Sequence, residues 1–322
     1  MVGIKAISTF FSDSYLDVGE IQGRDVLSKE EREYFDGLGI DKICLAEGYS
    51  SYDIAKEACT QLLLENQIDS KSIDLIIYIQ ERLPEYFISS SAARLQFDLN
   101  AVNAVSFSIG DLGCTDMTMA IKLAKDQLVL NPAMKNVLIC YGHKQYAASR
   151  FRYPVTINGD GGIAILVGRT NDNCIVDLEI KMNGKFWDLF QVDYFDKSFE
   201  DYVESCTNHR SYGFELPIIT KMNLVDINVA VLKRNNLTFE DVDHFFLQNL
   251  SKRAYNYTES SLDIKLSDSC EENLRQYGHL GPLDVILNYK TAIESGKIKK
   301  GEKALIMNNS PVAAWSSILI QA

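Results

Sequence analysis

Residues 134–142 read MKNVLICYG, and residues 301–309 read GEKALIMNN. Each is an apolar run of strand length, entered through a lysine and closed by small or polar residues. A helix-like stretch precedes each. A second pair keeps nearly the same separation: residues 72–80, SIDLIIYIQ, and residues 241–249, DVDHFFLQN. Two strand-like segments repeated in the same order at one offset mark a chain built from two halves on one plan. The boundary falls near Gly168-Arg169-Thr170, giving halves 1–169 and 170–322. The segments between the apolar runs have helical spacing. In residues 52–67, YDIAKEACTQLLLENQ, Ile54, Ala58 and Leu62 recur every four residues; Met117, Ala120, Ile121, Ala124 and Leu128 form another stripe. Strand-like runs alternating with helices predict an α/β fold.

The bulk numbers exclude several function classes. The 322 residues are 46% hydrophobic with a formal net charge of −12, and no Lys/Arg-rich block occurs. That excludes a nucleic-acid-binding reading and implies that an acidic partner would need a local basic patch. The N-terminus MVGIKAISTFF lacks a basic region followed by an apolar core, so no signal peptide is expected. No apolar run is long enough to predict a membrane span. The seven cysteines are scattered, odd in number and free of any CxxC, which fits a reduced cytoplasm better than a disulfide framework or a zinc site. No phosphate-binding loop is present, and NGDGG (158–162) is too short for a dinucleotide fingerprint. Neither a cofactor nor a metal is expected.

The residues able to do chemistry follow from the duplication. Residues 110–116, GDLGCTD, join the apolar run AVSFSI (104–109) to a helix. Cys114 therefore sits at a helix start, where unpaired amides lower a thiol's pKa and can hold an acyl oxygen. The corresponding place in the second half reads YGHLGPLD (277–284), with His279 and Asp284. If the halves pack about a pseudo-twofold axis, Cys114 and His279 approach one point, forming a nucleophile–base pair oriented by Asp284. Asn249, at the end of a second-half strand, could reach the same place. A cysteine or histidine at a helix start also serves as packing or a cap, so both readings stand. His143 follows a buried strand and is a candidate lining residue. His209 lies in a polar loop, His244 within a strand, and Trp187 and Trp315 read as core or interface residues.

These segments together resemble the thiolase-fold enzymes of the β-ketoacyl-acyl-carrier-protein synthase III type. The resemblance runs through FSIGDLGCTD (107–116), NGDGGIAILVG (158–168), DVDHFFLQNLSKR (241–253), the stretch 277–309 and AAWSSILIQ (313–321). It implies a duplicated five-layer αβαβα fold with two pseudo-twofold-related halves, and a homodimer in which AVSFSI pairs across the axis. It further implies an acyl-thioester on Cys114 and a tunnel for the pantetheine arm of coenzyme A or an acyl carrier protein, in fatty acid, polyketide or secondary-metabolite synthesis.

The family's usual Cys-His-Asn set is altered. Asn249 stands where the histidine is expected and His279 where the asparagine is expected. The glycine-rich loop near the C-terminus is replaced by NNSPVAAW (308–315), in which Pro311 has no amide hydrogen and Ser310 becomes the candidate second oxyanion donor. Lys252 and Arg253 are the candidate carrier-binding residues. The Gly-His…Asp pattern resembles a divergent branch of the family in specialised metabolism. A carboxylate-backed histidine suits a general base, so the expected reaction is transfer of an acyl group from Cys114 to a small-molecule acceptor. The alternatives are decarboxylative condensation with a malonyl thioester and a non-catalytic partner subunit of a synthase heterodimer.

Overall fold

The computed structural model describes residues 1–80, 84–145, 149–198, 201–310 and 312–322. Nine strands form the main sheet system: β1 (Val2–Phe10), β2 (Leu75–Ile79), β3 (Val105–Ile109), β4 (Asn136–His143), β5 (Gly161–Arg169), β6 (Cys174–Met182), β7 (His244–Phe246), β8 (Lys303–Ser310) and β9 (Ala314–Gln321). Their order is β7-β8-β9-β6-β1-β5-β4-β2-β3. Between β6 and β1 the register holds a single pair, Gly3 opposite Cys174, so the system is two sheets meeting at one point.

The two sheets repeat one pattern. In the first, β1 is antiparallel to β5, β5 antiparallel to β4, and β4 parallel to β2. In the second, β6 is antiparallel to β9, β9 antiparallel to β8, and β8 parallel to β7. The strands read from sequence as partners, β2 with β7 and β4 with β8, occupy matching places. β3 has only a remnant in the second sheet, an isolated parallel bridge between Phe245 and Leu266.

Three layers of helix enclose the sheets. The outer helix α1 (Ser51–Glu65) buries Ile54, Ala58 and Leu62 against β4, β5 and β1. Helices α2 (Asp116–Leu130) and α4 (Asp284–Glu294) lie in the central layer, and α3 (Leu216–Arg234) covers β9 and β6 on the far side. The buried stripe of α2 is Met117, Ala120, Ile121, Ala124 and Leu128, and it touches both sheets. Because strands buried on both faces need apolar residues throughout, β2, β4 and β5 read as continuous runs rather than alternating ones. The result is the duplicated five-layer arrangement, with α2 and α4 entering the centre from opposite halves. Among the described residues no helix is long and apolar enough to cross a membrane.

Candidate active site

The chain turns sharply between β3 and α2. Asp111 and Gly113 both adopt left-handed backbone, with φ of 83° and 58°, and the short turn Gly113–Thr115 presents Cys114 just ahead of the helix. Residues from the second half hold that turn. Asn308 on β8, fully buried, donates from Nδ2 to the Cys114 carbonyl at 2.7 Å, and Thr118 Oγ1 meets Ser316 Oγ at 2.7 Å. Cys114 is thus presented by one half and held in place by the other.

His279 comes from the corresponding turn of the second half. Its N–H donates to Ile157 O (2.9 Å) and its carbonyl accepts from Gly159 N (3.1 Å). The NGDGG segment therefore stitches the histidine loop to the first half. Cys114 Sγ lies 3.6 Å from His279 Nε2, and His279 Nδ1 donates to Asp284 Oδ2 at 2.6 Å. Asp284 also accepts from Asn249 N (2.9 Å) and Leu280 N (2.8 Å). All three side chains are buried.

Burial opposes charge on the imidazole, but the Asp284 carboxylate outweighs it and Cys114 adds to it, raising the His279 pKa to about 10. The imidazolium form therefore prevails at neutral pH, with Nε2 3.6 Å from Sγ.

A cavity of about 740 Å³ opens onto these groups. Trp187 lines it with 70% exposure, which removes the core half of the sequence expectation of a core or interface residue. Trp315 does sit in the core, donating from Nε1 to Thr220 Oγ1 at 2.9 Å. His143, on the C-terminal end of β4, lines the cavity, whereas His209, expected in a loop, is exposed at the start of the helical segment leading into α3, and His244 pairs with Glu302.

The other sequence candidates are placed differently. Asn249 reaches the site through its main chain, and its side chain does not line the cavity. Tyr255 Oη and Asn288 Nδ2, both 2.9 Å away, draw its carboxamide oxygen into a buried polar network behind Asp284, while its Nδ2 has no hydrogen-bond partner among the described residues. Ser310 is buried with its Oγ accepting from Val312 N, and Val312, not Ser310, lines the cavity. Pro311 lies outside the described residues. Lys252 is paired with Glu271 at 2.5 Å, and the Arg253 guanidinium lies 5.7 Å from the Tyr34 ring. Neither lines the cavity.

Asn308 was not among the sequence candidates. The only signal for it was the pair of amides closing the apolar run at 304–309. Among the described residues, no three His, Cys, Asp or Glu side chains cluster as a metal would require.

Comparisons with known proteins agree with this architecture. Residues 232–322 match the family model of the 3-oxoacyl-[acyl-carrier-protein] synthase III C-terminal region. The β-ketoacyl-[acyl-carrier-protein] synthase III of Campylobacter jejuni (strain RM1221) is 24% identical over 323 residues, covering 99% of this chain and 97% of that protein. The chain is thus similar to β-ketoacyl-[acyl-carrier-protein] synthase III proteins along nearly its whole length, with the family-model match falling on residues 232–322. Its fold superimposes on the crystal structure of the Aquifex aeolicus VF5 synthase III with a TM-score of 0.81 and 21% identity, covering both chains completely. It matches ChlB3, described as an acyltransferase, with a TM-score of 0.83 and 16% identity over 100% of this chain and 97% of that one. Within this family fold, Cys114 and His279 face each other across the contact between the halves.

Proposed function

We propose that the protein transfers an acyl group from a coenzyme A or carrier-protein thioester to Cys114, and from there to an oxygen or nitrogen acceptor. The observation that carries this reading is the unbroken line Sγ–Nε2–Nδ1–Oδ2 through Cys114, His279 and Asp284. In the first step Sγ attacks the thioester carbonyl carbon, and the departing thiol takes its proton from the His279 imidazolium. The carbonyl oxygen gains negative charge beside the start of α2, whose amides favour an anion there. The sulfur is then part of a neutral thioester, so its share in raising the His279 pKa disappears. His279 then holds a proton less tightly, so more of it is neutral and able to accept one. It takes the acceptor's proton as the acceptor attacks the acyl carbon, and Cys114 leaves as the thiolate.

Condensation is the weaker reading for a structural reason. It needs two side-chain donors on an enolate oxygen, and Asn249 is turned into the network behind Asp284. Synthase III relatives carry carrier-protein names, which supports a thioester donor here.

Intact-mass measurement after incubation with acyl-CoA donors tests the reading. Wild type should gain one acyl mass, Cys114→Ala none, and His279→Ala, lacking the acid that protonates the departing thiol, should load more slowly and turn over about 10²- to 10⁴-fold more slowly. Failure of the wild type to gain mass from any acyl thioester would remove the mechanism.

A further inference from the structure

The segment that stitches the two halves together also places a polar side chain beside the base. Ile157 O and Gly159 N bond the main chain of His279, so Asn158 and His279 are partners in an isolated parallel bridge. Segments paired in this way run about 4.8 Å apart, and partners turn their side chains to one face. Gly159 permits the approach, since a Cβ there would lie 2.3 Å from Tyr277 O. Asn158 and His279 both line the reaction cavity, and Asn158 is 4% exposed.

The carboxamide of Asn158 is held one way round. Gln145 Nε2 donates to Ser149 O at 2.7 Å, which leaves Gln145 Oε1 to accept from Asn158 Nδ2 at 2.8 Å. Asn158 Oδ1 is thereby fixed as an acceptor. It is buried and has no hydrogen-bond partner among the described residues. A buried oxygen without a donor lowers stability, and this one adjoins the group that takes the acceptor's proton.

The charges around it have one sign in excess. Asp111 and Asp116 line the cavity. The described cations there are already matched, Arg152 by Glu204 and the His279 imidazolium by Asp284. A cleft of this kind concentrates cations and repels carboxylates.

Hydrogen count separates the possible acceptors. An alcohol has one hydrogen, which must go to His279 Nε2, and its oxygen would then face Oδ1 with lone pairs only. An alkylammonium has three. One is shed to water, and the neutral nitrogen attacks the acyl carbon. The C–S bond breaks, a second hydrogen passes as a proton to His279, and Cys114 leaves as the thiolate. The third stays on the amide nitrogen. We propose that Asn158 Oδ1 accepts that third hydrogen, so that the site selects primary amines as acyl acceptors and releases N-alkyl amides. Oδ1 is covered until the amine arrives; hydrogen bonds in reaction sites often close only on binding. The proposal rests on the acyl-Cys114 reading and goes beyond it in choosing nitrogen over oxygen and naming the class of amine.

The test isolates the acyl-enzyme formed from acetyl-CoA and follows loss of the acyl mass on adding n-butylamine, N-methylbutylamine or n-butanol, in wild type, Asn158→Leu and Asn158→Ala. In wild type n-butylamine should react about tenfold or more faster than either of the others, which lack the extra hydrogen. Each variant should slow n-butylamine about tenfold more than it slows n-butanol, as when one hydrogen bond to substrate is removed. Asn158→Ala keeps the test open if Asn158→Leu does not fold. Butanol matching butylamine, or a preference for butylamine that neither variant reduces, overturns the amine assignment and leaves the acyl-enzyme standing. If neither acetyl-CoA nor longer acyl-CoA donors add mass to the wild type, both fall.

Discussion

His279 is where one side chain's surroundings decide its behaviour. Its raised pKa implies a pH signature in stability. A group whose folded pKa exceeds its unfolded value stabilises the fold fully below the unfolded value, about 6.5 for histidine, and the contribution is lost as pH rises through the folded value. For His279 that loss spans the interval up to about 10. His279→Gln should melt below wild type at pH 6, with the gap closing steadily toward pH 10 in parallel thermal scans. A gap independent of pH would show that no imidazolium is held there. At this scale Cys114, His279 and Asp284 were legible in sequence, because each sits at a helix start and duplication relates the two starts. The orientation of Asn249 was not. It is set by Tyr255 and Asn288, whose approach to position 249 no local pattern reveals.

Among the elements, the turn into β5 holds a buried charge cluster. Asp160 is fully buried and accepts from Arg150 through both oxygens, at 2.5 and 3.0 Å. It also accepts from Lys144 Nζ, Ala46 N and Gln145 N. Burial opposes its ionisation, but Arg150 and then Lys144 outweigh burial and hold its pKa near about 2. Being depressed, it stabilises the fold above about 3.8 and loses that contribution only as pH falls through about 2. Asp160→Asn should therefore cost about 3 kcal/mol near pH 7, by leaving Arg150 without its counter-charge. Urea denaturation would show this as a lower midpoint at unchanged slope. A loss under about 1 kcal/mol would mean solvent already screens the pair. GDGG reads from sequence as a turn entering a strand, and it is one. The anchoring role of its aspartate was hidden because its partners come from residues 46 and 144–150, brought close only by the fold.

For the whole molecule, the chemistry depends on two half-chains meeting, and the same construction leaves one sheet edge open. β3 is the last strand of the first sheet and pairs on one side with β2. Its residues Val105 and Phe107 are 68% and 36% exposed. An uncovered edge strand carrying apolar side chains invites pairing with another chain, and a stable protein either blunts it with charge or uses it. The sequence VSFSI carries no charge and no proline to blunt this edge. The edge strand of the second sheet, β7, is only three residues long, and its Phe245 and Phe246 are buried. For the homodimer that the sequence resemblance implies, we propose β3 as the contact, joined to the copy of itself about a twofold axis. The turn carrying Cys114 follows β3 directly, so pairing there would also brace the nucleophile. Sedimentation at micromolar concentration should give a dimer for wild type and a monomer for Val105→Lys combined with Phe107→Lys, with slower Cys114 acylation in the monomer. A wild-type chain that sediments as a monomer, or a double variant that remains dimeric, would place the contact elsewhere and leave β3 as an exposed edge.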